Sequence, residues 1–231
     1  MGLPEFALFA PIFDYPEPGY GERVAAAHEM VRGLYPQALE EMDRFTRALG
    51  LRDGACEGER LDAIQELYTR TFDIQPITTL DVGFVLFGDD YKRGEILSNL
   101  NKEHIASGNS CGNELADHLP NLLRLIAIKG KDPFVRELVD MILAPALRAM
   151  LREFDPERVA KKNEYYKKQY KTLIETPNVE SIAYRYALRA CYIILSTEFE
   201  LPEVDAAEVE LNCDFLKSLQ VENKTEDIKG S

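Results

Sequence analysis

The chain has 231 residues, 45% apolar and 29% charged, with a formal net charge of −13. That length is enough for a sizeable hydrophobic core, and no apolar run is long enough to span a bilayer. The acidic surplus argues against nucleic acid as a partner; it suits a basic protein or peptide, or serves only solubility.

The first stretch, "MGLPEFALFAPIFDYPEPGYGER", has no basic leader, and acids and prolines interrupt it early, so a cytoplasmic protein is expected. From there the periodicity is helical almost throughout. Val24, Ala27, His28, Val31 and Leu34 share one face. Pro36 forces a break. Leu39, Met42, Phe45 and Leu49 resume the period, and Gly50 supplies a stop. Leu61, Ile64, Leu67, Tyr68 and Phe72 form the stripe of a second amphipathic segment. "IQPITTLDVGFVLFGDD" is rich in residues that strands favour but has no partner strand in the sequence. An extended connector or short helix is expected there.

"YKRGEILSNLNKEHIASGN" reads as a helix ending at Gly108-Asn109. In "GNELADHLPNLLRL", residues 112–125, and the residue that follows, Leu115, Leu119, Leu122, Leu123 and Ile126 recur at helical spacing. Pro120 is tolerable only in a first turn, which starts this helix close to Glu114–Asp117. Asp132 is an N-cap candidate ahead of Pro133, and Pro145 should kink the helix that follows. "PERVAKKNEYYKKQYKTLIE" is polar and helical. "NVESIAYRYALRACYIILSTEF" is the most apolar segment and is expected at the centre.

The fold class is therefore all-α: a single-domain bundle of about seven or more helices over residues 1–200. Connections are short, so helices adjacent in sequence should pack as neighbours. Residues 201–231 are acidic and weakly periodic and read as a flexible tail, with one short helix around Phe215 and Leu219.

Chemistry-bearing patterns are sparse. Cys56, Cys111, Cys191 and Cys213 form no Cys-x-x-Cys pair, and with three histidines no structural zinc is expected. Glu114, Asp117 and His118 are either an acid/base or metal cluster, or a helix start in a protein without chemistry of its own. No nucleophile in a diagnostic context accompanies them; Cys111 is the nearest thiol. Asp89, Asp90 and Glu95 have no calcium-loop pattern and read as a solvated turn. The lysines and tyrosines of "KKNEYYKKQYK" read as an exposed face.

Taken together, three motifs are more specific. "ELYTRTFD", then "YKRGE", then "GNELADHLPNLLRLIA" resembles the NarJ-type branch of the NarJ/TorD/DmsD family, the dedicated assembly chaperones of molybdenum enzymes. The match lies at Tyr68, Phe72 and Asp73, at Gly88, Asp89, Arg93 and Gly94, and at Glu114, Leu115, Asp117, His118, Leu119 and Pro120. Tyr15 and Pro16 fit the family's opening, and the likeness spans about residues 6 to 200. The chain departs from the pattern at Ala116, where the family usually has Pro. It also departs at Phe87, where a His is common, and across "TTLDVGFVLFGDD".

The resemblance implies an all-α protein that is not an enzyme and holds no permanent cofactor or metal. Its partner would be the N-terminal segment of an apo catalytic subunit, kept competent for insertion of bis-molybdopterin guanine dinucleotide before membrane docking or export. The client-binding residues implied are Tyr68, Phe72, Asp73, Tyr91, Arg93, Glu114, Asp117, His118, Leu119 and Pro120. The protein would be a monomer or a weak, domain-swapped dimer. Asp117→Ala is expected to weaken client binding while costing no more than a helix cap, about 1 kcal/mol. The alternatives are a permanent structural subunit of a molybdoenzyme complex, or a hydrolase working through His118.

Overall fold

The computed structural model describes residues 2–51, 56–170 and 182–201. The tail from 202 onward, with its expected short helix, lies outside them. Among the described residues the regular structure is helical, as composition and period dictate: an all-α, single-domain bundle. The helices are α1 (Glu5–Phe9), α2 (Tyr20–Leu34), α3 (Leu39–Ala48), α4 (Glu59–Phe72), α5 (Val82–Phe87), α6 (Tyr91–Ala106), α7 (Leu119–Lys129), α8 (Pro133–Leu138), α9 (Ala144–Glu153), α10 (Pro156–Tyr170) and α11 (Ala183–Phe199). A 3-10 turn, Ala10–Phe13, follows α1, and a second, Pro36–Ala38, carries the break expected at Pro36. None of these helices is long and apolar enough to cross a membrane.

Local chemistry sets many of the boundaries. Asp90 and Asp132 cap α6 and α8, and Asp155 precedes α10. In each case the carboxylate accepts from the amide two residues on: Lys92, Phe134 and Glu157. The ambiguous 74–90 stretch is a connector followed by the short helix α5. Around Pro145 the chain forms a five-residue π turn, Val139–Leu143, rather than a simple kink. The wider turn accommodates a residue that has no amide hydrogen and whose ring crowds the preceding turn.

α11 sits at the centre, packed against α3 and α9, while α7 lies on α1 and its 3-10 turn. These partners are distant in sequence, so the expectation of neighbour-on-neighbour packing holds only for pairs such as α2 with α3 and α5 with α6. The reason is visible on α11. Ala183, Ala187, Ala190 and Cys191 are fully buried small residues that let other helices approach closely on several sides. Tyr184 fills the middle, its ring 4.9 Å from Phe72, 5.6 Å from Phe45 and 5.7 Å from Tyr68. Its hydroxyl meets that of Tyr20, which also bonds the Ile12 carbonyl. Tyr68 in turn donates to the Phe13 carbonyl, so two buried phenols fasten the first 3-10 turn to the bundle.

Two core assignments change. Leu34 ends α2 and is 60% exposed, and Leu115 is 47% exposed. Leu115 precedes the helix whose spacing made it look apolar-facing: α7 begins only at Leu119, with His118 extended before it. A start at Glu114 would place the Pro120 ring against the carbonyl of Ala116. Instead the chain forms a turn and pairs with the residues ahead of α5. The amide of Val82 donates to the Asp117 carbonyl and that of Leu119 to the Leu80 carbonyl, an isolated antiparallel bridge at Asp81 and His118.

Candidate functional site

That bridge brings the second and third sequence motifs together. Asp117 is 0% exposed. Its Oδ2 accepts from the Gly83 amide at 3.1 Å and from Arg93 Nε at 3.0 Å. The guanidinium then spans to Asp81, with an Nη2-to-Oδ2 distance of 2.9 Å. Asp81 Oδ1 lies 3.1 Å from His118 Nδ1, and Glu114 Oε2 lies 3.9 Å from that same nitrogen. One cation thus serves two carboxylates, and His118 closes the row. Gly83 is required here for space: a Cβ on it would sit 2.7 Å from Asp117 Oδ2 and 3.3 Å from Arg93 Cγ.

The electrostatics follow from this arrangement. Burial opposes ionisation of Asp81, but the hydrogen bond and charge of His118, with Arg93 behind them, hold its carboxyl below the usual range. Burial likewise works against the Arg93 charge, and Asp117 and Asp81 more than restore it. Asp73, at the end of α4, goes the other way. Partial burial raises it, Glu114 and Asp81 raise it further, and His118 offsets part of the rise. The rim is therefore short of positive charge. Exposed apolar side chains stand beside these groups in the chain: Ile74 after Asp73, Leu115 after Glu114, and Phe84, whose ring Arg93 covers at 5.2 Å.

The ten residues singled out in the sequence thus fall into three groups. Arg93, Asp117 and His118 form the ion network, with Asp73 and Glu114 at its rim. Tyr68, Phe72, Leu119 and Pro120 are buried, and in this conformation they bear on a ligand only through the residues they support. Tyr91 is 73% exposed at the start of α6, outside the network. Asp117 does not cap α7. It is one half of a buried ion pair, so the expectation that its removal costs only a cap is corrected upward.

Sequence reasoning missed Asp81 and Gly83, which complete the network, and His104, Asn109 and Asn121, which hold the turn from behind. An Asp and a Gly at the start of a short apolar stretch were the signal available for the first two. The other three act on backbone carbonyls, which leave no mark in the sequence.

Burial pushes the Cys111 thiol up, away from the thiolate a nucleophile needs. Among the described residues no group of His, Cys, Asp and Glu has the grouping of a metal site, and Asp90 is spent on its cap.

Comparison with known proteins finds no matching family model, no matching curated protein and no matching solved structure.

Proposed function

We propose that this protein is a cytoplasmic chaperone for the apo catalytic subunit of a molybdenum oxidoreductase. It binds that subunit's N-terminal segment and holds it for insertion of bis-molybdopterin guanine dinucleotide before docking or export. One observation carries the reading. Five of the residues through which the sequence resembles such chaperones, Asp73, Arg93, Glu114, Asp117 and His118, come from three separate stretches of the chain and interact in one cluster. Asp73 and Glu114 leave the rim of that face with unbalanced negative charge. A basic client segment with an apolar side would place its cations there and its apolar groups on Ile74, Leu115 and Phe84.

Calorimetric titration with synthetic N-terminal peptides of molybdenum-enzyme catalytic subunits tests this. One peptide should bind, and Asp73→Asn and Glu114→Gln should each weaken it by about tenfold with unfolding midpoints not lowered. Affinity should also fall as pH drops through the Asp73 titration, because a cation favours the ionised carboxylate. Indifference of every peptide, or binding untouched by both substitutions, would sink the reading. Co-purification with the mature, cofactor-loaded complex would make the protein a permanent subunit instead.

A further inference from the structure

Behind the candidate site lies a second, uncharged network. His104, 2% exposed on α6, donates from Nε2 to the Ala116 carbonyl at 3.0 Å. Its Nδ1 accepts from the Asn109 amide at 2.9 Å, and the same Asn109 nitrogen reaches the Asn121 carbonyl at 3.0 Å. Asn121, 3% exposed on α7, donates to the carbonyls of Cys111 and Leu115. Two side chains, His104 and Asn121, thereby hold the backbone of the 111–116 segment at three carbonyls, and Asn109 ties the two together. That segment delivers Glu114, Asp117 and His118 to their places.

We propose that His104, Asn109 and Asn121 are positioning residues for this turn, and that protonation of His104 releases it. The inference rests on the reading of the turn as part of the client site.

The hydrogen bonds fix the tautomer: a carbonyl can only accept, so the proton sits on Nε2, and Nδ1 is a bare acceptor. A second proton would point at the Asn109 amide, donor against donor, and break that contact. Burial also disfavours the cation, and the Ala116 carbonyl only partly offsets it. The charged group that bears on His104 is its neighbour Glu103, which is itself paired with Lys129. The groups facing it from the turn and from Asn109 are neutral. On the other side of the turn, His118 faces the carboxylate of Asp81 and that of Glu114, which belongs to the turn itself.

Hydrogen exchange of the free protein, corrected for intrinsic rates, reads the release without any client. Protection of residues 111–118 should fall about tenfold between about pH 7.5 and about pH 5, while α11 stays protected. His104→Gln carries the same donor and acceptor but does not titrate, so its protection should not change with pH. His104→Ala should be poorly protected at both. Constant wild-type protection, an equal fall in His104→Gln, or loss spread evenly over α11 would each overturn the proposal. Because no client is present, failure of the chaperone reading would leave this result standing, and failure here would leave peptide binding intact.

Discussion

Asp117 and Gly83 show what one buried contact demands of the chain. Asp117→Asn keeps the shape but turns a charge-assisted acceptor into an amide facing Gly83 N–H and Arg93. Removing one partner of a buried pair typically costs about 3–5 kcal/mol, and denaturant unfolding should show a loss of that order. A loss within about 1 kcal/mol, the worth of a cap, would mean the pair is not sealed from water. At Gly83 two effects compete. Alanine in a helix gains up to about 1 kcal/mol over glycine, whereas forcing atoms into a packed site costs about 1–3 kcal/mol. The atom met at 2.7 Å is a carboxylate oxygen pinned by Arg93, not a free chain end, so the clash should win and Gly83→Ala should destabilise. In an Asp117→Ala background the nearer obstacle is gone and Arg93, met at 3.3 Å, has lost the partner that pins it, so the same substitution should become neutral or stabilising. That sign change in a double-mutant cycle is the check. Asp117, His118 and Arg93 were legible because the motifs carrying them are local. Asp81 was not, because its role exists only once the 80–82 segment pairs with 117–119.

Elements whose ends are set by neighbours in the chain are those the sequence specifies directly. Asp132-Pro133 places a carboxylate two residues before an unpaired amide and a preformed φ just after it, and the structure puts the cap there. Asp132→Ala should cost about 1 kcal/mol by thermal or denaturant unfolding, well below the loss at Asp117. Equal losses at the two sites would show that the distinction between cap and buried pair is wrong. The start of α7 shows the converse. Helical spacing extended the apolar face back to Leu115, but the segment before Leu119 takes its hydrogen bonds from His104, Asn121 and the 80–82 segment. Those partners are up to tens of residues away, so periodicity within a window could not show them. At Pro145 the proline was legible as a disturbance. Its form was not: a proline is accommodated by a kink or by a wider turn, and Val139–Leu143 takes the wider turn.

The whole molecule follows the same division. Period, apolar content and the lack of strand partners made the all-α class readable, and the apolar 178–199 segment foretold the central helix found at Ala183–Phe199. The packing order was not readable, since Ala183, Ala187, Ala190 and Cys191 advertise closeness without naming the helices that use it. One consequence of the assembled structure is a two-stage response to acid. His104 prefers the neutral form when folded, so the unfolded chain takes up its proton first. The stability this contributes is complete above about pH 6.5, the free-histidine value, and drains as pH falls through the lower folded value. Asp81 is depressed by His118 and Arg93 acting against burial. Its contribution is complete above about pH 3.9 and is lost only as pH falls through its own lower folded value. Asp73 has the opposite sign, because protonation relieves the cost of its partial burial and its repulsion from Glu114 and Asp81, which softens the loss. Unfolding free energy measured against pH should therefore decline in an upper and a lower stage. His104→Gln should flatten the upper stage and leave the lower one in place, and the difference between the two curves isolates His104 from the other histidines. Coincident curves above about pH 5 would mean that His104 carries no linked stability. The turn would then be held by Asn121, the pairing with the 80–82 segment and the ion network, with no titrating group behind it.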